Sequence, residues 1–272
     1  MTDLTLRSGP LSASIRPAAG GRIAALRHDV LGDLIVPMDA APFDPEFWPK
    51  AGAYPLIPFH NRIRDGRFTW QGQVHRLPLH PAEPNALHGF ASRREWRAAK
   101  EGSSIHMVLE HAADEHWPWA ISATQVISLI ATGMTIGLSV TNLSDAVMPA
   151  GLGWHPFFPP CRVTEDAARR WPMDERQIPE GTSTSDTGTE ATRHLSGWTQ
   201  VEIILDNGAR MRLTASSVMS HLVVHQTAQY ACVEPVSHLA GALALSLETS
   251  ADRLRPLAPN ETLSAEIRLD IL

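Results

Sequence analysis

Two cysteines, Cys161 and Cys232, are all that the 272 residues contain, and neither belongs to a Cys-x-x-Cys pair. So few cannot staple a chain of this length, which excludes a disulfide framework and leaves reduced thiols as the expectation. No apolar run is long enough to span a bilayer, and the opening MTDLTLRSGP has no basic stretch followed by an apolar one. A membrane partner and a secretory leader are therefore not expected, and a cytoplasmic location is. Clusters of basic residues are missing as well. The formal charge is −6 with Lys and Arg scattered, so the footprint that nucleic acid demands is absent and nucleic acid is excluded as a partner. Thirteen histidines are present, yet none falls in an HxH or HExxH pattern, so no metal is expected. Amphipathic helices are equally scarce. Only Ala167 to Trp171 suggests a helical turn or two, and 21 prolines with 18 glycines interrupt the rest.

What is present is a globular balance, 43% apolar and 19% charged, arranged with a period of two. From Thr262 to Leu272, Leu263, Ala265, Ile267, Leu269 and Ile271 alternate with polar residues, the pattern of a strand with one face in a core. Val201, Ile203 and Leu205 lead into Asn207-Gly208, after which Met211 and Leu213 resume the alternation. Asn-Gly supplies the positive φ angles of a tight hairpin. A second hairpin fits Arg67 to Leu77 around Gln71-Gly72, Ile105 to Leu109 marks a strand, and Ile121 to Val140 reads as two strands joined at Ala131 to Gly133. The expected fold class is all-β, a large antiparallel β-sandwich, with residues 1–272 forming one domain. The polar stretch Glu180 to Glu190 is expected to be an exposed loop, not a boundary.

Four clusters set polar side chains into Gly/Pro-rich turns between strands, where rigid scaffolds carry function. They are Pro55 to Gly66, containing His60-Asn61-Arg62; Asn85 to Phe90, containing His88-Gly89; Gly151 to Phe158, containing Trp154-His155-Pro156; and Cys232-Val233-Glu234-Pro235.

In order and spacing these clusters resemble the aldose 1-epimerase family, of the galactose mutarotase type. That family carries Asn-Arg-Ile before a Gly, then His-Gly, then His-Pro-Tyr/Phe-Phe, then a late Glu, on a β-supersandwich. The resemblance covers nearly the whole chain, starting at Gly20-Gly21-Arg22-Ile23. It implies a cofactor-free isomerase acting on a monosaccharide. Interconverting α and β anomers removes the C1 hydroxyl proton while protonating the ring oxygen, so one base and one acid must act together. Carried over from the family's motif, Glu234 is the base and His155 the acid, His88 and Arg62 orient hydroxyls, and Asn61 fixes the loop or a hydroxyl. The other histidines, from His75 and His80 to His225 and His238, are expected at the surface or satisfied. Trp154 and Phe157 either line the sugar pocket or fill the core.

The chain departs from the family's pattern at one place. Where members carry an Asp that binds a sugar hydroxyl, Thr192 stands here, with Asp174 and Asp186 as alternative carboxylates. Two rival functions are an epimerase of hexose 6-phosphates on the same fold, for which Arg62, Arg64 and Arg67 would have to bind phosphate, and a non-catalytic carbohydrate-binding protein. Neither the identity of the aldose nor the oligomeric state follows from the sequence.

Overall fold

A computed structural model describes residues 3–39, 42–186, 188–245, 247 and 249–272. The chain is nearly all-β, 51% strand and 3% helix. Alternation of apolar and polar residues forces its strands to bury one face, and two sheets meet over that face. The larger sheet has ten strands. Its order runs Leu4–Ser8, Leu11–Arg16, Arg22–His28, Ala53–Leu56, Gly153–Phe158, Ala231–Val236, His221–Gln226, Thr192–Ser196 and Arg169–Trp171, with Gly32–Asp33 branching from Arg22–His28. The second has eight strands, Arg97–Glu101, Ser104–His111, Ile121–Ile130, Gly133–Asn142, Thr262–Ile271, Arg210–Ala215, Gln200–Leu205 and Cys161–Glu165. Pairings within both are antiparallel. Leu11, Ile15, Leu26, Trp154 and Val224 of the first sheet join Ile105, Met107, Ile127, Ile136 and Ile267 of the second in one continuous core.

The expected hairpins form. Arg67–Trp70 pairs with Gln73–Arg76, and Gln71 and Gly72 both take positive φ, 48° and 81°. The Asn207-Gly208 turn differs in detail: Gly208 alone is left-handed, at φ 88°, while Asn207 uses its side-chain oxygen to accept from the Ala209 N–H at 3.0 Å. A side-chain cap thus replaces the second positive φ. Ile121–Ile130 and Gly133–Asn142 pair end to end as their alternation requires.

One expectation fails. Ala167 to Trp171 is not helical; Arg169–Trp171 is the edge strand of the larger sheet, its register set by Trp171 opposite His194. Five residues carry too little helical periodicity to resist a neighbouring strand. The polar stretch from Glu180 to Glu190 is loop apart from an isolated bridge between Arg170 and Thr184, and Thr187 lies outside the described residues. No helix among the described residues is long and apolar enough to cross a membrane.

Thr262–Ile271 sits centrally in its sheet, and Ile267 pairs Ile136 on one side and Ala215 on the other while being fully buried. Ile267→Ala removes a side chain that neighbours cannot readily refill. Chemical denaturation should show a loss of about 2–5 kcal/mol with an unchanged denaturant slope. A loss under about 1 kcal/mol would contradict this packing.

Candidate active site

The larger sheet turns its second face away from the core, and a cavity of about 380 Å³ opens there. Register decides what lines it. Gly153 pairs with Val236 and Phe157 with Cys232, which sets His155 opposite Glu234. Tyr54 pairs with His155 on the other side, Val223 with Glu234, His225 with Cys232, and Thr192 with His225. Since side chains alternate along a strand, these residues all project from one face. Trp154, Phe158, Val233 and Val224, one position out of phase, project into the core. Trp154 is therefore a core residue and Phe157 a cavity residue. Pro156 and Pro235 lack an N–H, and the pairing of their two strands lapses between Gly153–Val236 and Phe157–Cys232.

Two loops close the cavity from above. Arg62–Arg64 pairs with Asn85–Leu87, so that Asn61 and His88 face each other just beyond the ladder. The His88 N–H donates to the Asn61 carbonyl at 2.9 Å, and the Asn61 N–H donates to His88 Nδ1 at 3.1 Å. His88 Nδ1 is thereby the acceptor, which leaves Nε2 to carry the proton of the neutral ring. Both residues hold left-handed backbone, φ 56° and 59°, an uncommon conformation outside glycine. The reciprocal hydrogen bonds stabilise that geometry. Gly89 follows at φ 64°, and a Cβ there would stand 2.3 Å from the Ile57 carbonyl oxygen.

Glu234 is 4% exposed and its Oε1 lies 3.4 Å from His155 Nε2, while Oε2 has no hydrogen-bond partner among the described residues. Burial pushes its carboxyl up to about 8, against the opposing pull of the Arg62 and Lys50 charges. Burial, and then the Lys50, Arg22 and His225 charges, hold His155 well below the ordinary imidazole value. Both shifts disfavour charge. Across neutral pH this leaves one proton on the Glu234 carboxyl and a neutral His155 imidazole 3.4 Å away.

The His155 ring is fixed by stacking. It lies between Tyr54, with centroids 4.7 Å apart, and Phe157 at 4.8 Å. Behind Tyr54 the fully buried Arg22 places its guanidinium carbon 4.1 Å from the phenol ring centre and donates to the Ala51 carbonyl at 3.0 Å. Arg62 is clamped by Glu83, Nε to Oε2 at 2.6 Å and Nη2 to Oε1 at 2.5 Å. This two-pronged pair fixes the guanidinium plane against the cavity wall.

The cavity gathers all five residues singled out from the sequence, Glu234, His155, Arg62, His88 and Asn61. Thr192 lines it too, its hydroxyl 2.8 Å from His225 Nδ1. Asp174 and Asp186 lie elsewhere, paired with Arg64 and Arg170. Sequence reasoning missed Tyr54, Glu83, Lys50 and His225. Glu83 was within reach, two residues before the Asn85 cluster; His225 was set aside as a surface or satisfied residue. Against the expectation of no metal-ligand spacing, Cys232-x-Glu234, with its spacing of two, puts a thiol and a carboxyl on one strand face beside His155.

Fold and cleft place the chain among large antiparallel β-sandwiches with a concave polar site on one sheet. Residues 3–270 match aldose 1-epimerase, and the chain belongs to that family. It is 34% identical over 126 residues to the uncharacterized protein YphB of Escherichia coli (strain K12), a match spanning 44% of this chain and 42% of YphB. In structure it resembles a galactose mutarotase-like protein from Clostridium acetobutylicum, with a TM-score of 0.87 at 23% identity over 98% of this chain and 94% of that one. An aldose epimerase homologue from C. elegans superposes with a TM-score of 0.84 at 15% identity, over 100% and 98% of the two chains. At these identities the likeness is one of fold.

Gly89→Ala combines a left-handed backbone with a clash against the Ile57 carbonyl. It should cost more than about 1 kcal/mol, seen as a melting temperature lower by about 2–4 °C or more. An unchanged melting temperature would contradict the close approach of the two loops.

Proposed function

We propose that the chain is a mutarotase, interconverting the α and β anomers of a free aldose with Glu234 as base and His155 as acid. The observation that carries this reading is the buried carboxyl–imidazole pair, 3.4 Å apart at the floor of a sugar-sized cleft. Glu234 takes the proton from the C1 hydroxyl as His155 delivers one to the ring oxygen. The bond from C1 to the ring oxygen breaks and an open-chain aldehyde forms. After rotation about C1–C2 the ring oxygen attacks the other face of C1, and both protons return. No proton is gained or lost overall, so one shared proton on the pair suffices. The working form, carboxylate with imidazolium, is the other placement of the proton that burial keeps on the pair.

The remaining residues bind. His88 presents its Nε2 proton and Arg62 its outer guanidinium nitrogens to sugar hydroxyls, with Asn61 holding the His88 ring in register. Thr192 and His225 offer a neutral donor–acceptor pair where relatives with an Asp would offer a charge. A neutral aldose suits this set better than a 6-phosphate, because Glu83 already neutralises Arg62 and Arg64 pairs with Asp174 away from the cavity, which leaves Lys50 as the one lining Lys or Arg with no carboxylate partner among the described residues, fewer donors than a phosphate site normally offers. The reaction needs no cofactor. The same chemistry needs no metal, so a chelator should not lower the rate.

Polarimetry of freshly dissolved α-anomers of glucose, galactose, arabinose, xylose and fucose tests the reading. Glu234→Gln keeps shape and hydrogen bonding but cannot accept a proton, so it should retain less than about a tenth of the wild-type acceleration while sugar binding stays measurable. His155→Asn should behave alike, and the double variant should lose far less than the two single losses combined, because the pair acts as a unit. Retained activity in Glu234→Gln, or additive losses, would contradict the assignment.

A further inference from the structure

Cys232 has no part in the proton transfers, yet its side chain shares the cavity face with the pair that does. Strand alternation aligns Cys232 with Glu234, and the neighbouring strand brings His155 alongside. One ligand atom from each, a thiol sulfur, an imidazole nitrogen and a carboxylate oxygen, lies within 4.8 Å of the other two. All three residues are buried, Cys232 at 2%, Glu234 at 4% and His155 at 7% exposure. Glu234 Oε2 is buried without a hydrogen-bond partner among the described residues. A donor set that close, unsaturated and opening on a cavity is what a small tetrahedral cation requires.

We propose that His155, Cys232 and Glu234 form a three-ligand site for a thiophilic divalent cation of the zinc type, with the fourth position open to the cavity, and that its occupation shuts the enzyme off. Bonds of about 2.0–2.3 Å at a tetrahedral ion bring ligand atoms to roughly 3.3–3.8 Å of each other, so the present set, within 4.8 Å, needs a contraction of about 1.5 Å at most. Rotation of the Cys232 and Glu234 side chains toward the fixed His155 ring supplies that without moving a strand. The stack of Tyr54 and Phe157 on His155 orients the ring, the role a hydrogen bond to the distal nitrogen plays in most metal sites. Sulfur and nitrogen donors select zinc, cadmium or cobalt over magnesium and calcium, which take oxygen. A bound cation occupies the lone pairs of Glu234 and His155 on which proton transfer depends. The binding stands on geometry alone; the inhibition rests on the mutarotase reading as well.

The full chain, stripped of metal, is titrated with Zn²⁺ by calorimetry and with Co²⁺ by absorption. One cation per chain is expected, with a thiolate-to-cobalt charge-transfer band that persists in Cys161→Ser and vanishes in Cys232→Ser. The Zn²⁺ dissociation constant of Cys232→Ser should rise by about 100-fold or more, exceeding the 10–100-fold typical of changes beyond the ligands themselves. Ca²⁺ and Mg²⁺ should give no saturable binding. Absence of the band in wild type, its loss in Cys161→Ser, or an unchanged dissociation constant in Cys232→Ser would each overturn the site. The first two need no Cys232 variant to fold. In wild type, one equivalent of Zn²⁺ should abolish mutarotation and EDTA should restore it. Zn²⁺ bound at Cys232 with the rate unchanged would leave the cation site standing and overturn the catalytic assignment of Glu234 and His155 instead.

Discussion

Burying a carboxyl group without a cation against it is costly, and the structure meets that cost by keeping the group protonated or by letting its proton move to an adjacent imidazole. Glu234 and His155 are that arrangement. Nothing but the register of two strands brings them together, and a slip of one residue would turn both into the core and bring Trp154 and Val233 out. The whole larger sheet, its order and its edges, serves to keep that register. Ala53–Leu56 on one side and His221–Gln226 on the other lock the pair of strands in place.

The layers around the pair divide the work. On the sheet, Arg22, Tyr54, His155 and Phe157 form a stack that leaves the imidazole no freedom to rotate. Above it, Asn61 and His88, both left-handed, are tied to each other by reciprocal hydrogen bonds, and Glu83 holds Arg62. The cleft combines two left-handed non-glycine residues with a buried carboxyl and imidazole, while other buried polar side chains, such as Gln125, Asn142 and the His221–Asp252 pair, lie outside it.

Much of this was legible in the amino-acid order. Period-two alternation located Ile121 to Val140, Val201 to Leu213 and Thr262 to Leu272, because each strand buries one face and the pattern is local. The residues that meet at the cavity stood out for another reason: Asn61, Arg62, His88, His155 and Glu234 sit in polar clusters within Gly/Pro-rich turns whose order resembles the family's motifs. What stayed hidden depends on contacts between distant segments. Glu83 reaches Arg62 across 21 residues, and Tyr54 meets His155 only through strand pairing, so neither carries a local sign. Arg169–Trp171 became a strand because an edge was open to it, a fact of the sheet and not of the pentapeptide. Cys232 looked inert for want of a pattern, since its two partners for a ligand set lie on its own strand and on the next.

The central claim is that Glu234 and His155 share one proton throughout the neutral range, and the pH dependence of kcat/KM for the free chain reads this directly. With the carboxyl raised to about 8 and the imidazole held well below its ordinary value, the singly protonated pair persists from mildly acidic solution up to about pH 8. Above that the shared proton leaves, no acid remains for the ring oxygen, and kcat/KM should fall as pH rises through about 8. Through neutrality and below it the profile should stay flat until the imidazole takes a second proton. A bell-shaped profile, falling as pH rises through the ordinary imidazole value of 6.5 and again as pH drops through the ordinary carboxyl value of 4.5, would show two independently titrating groups and contradict the account.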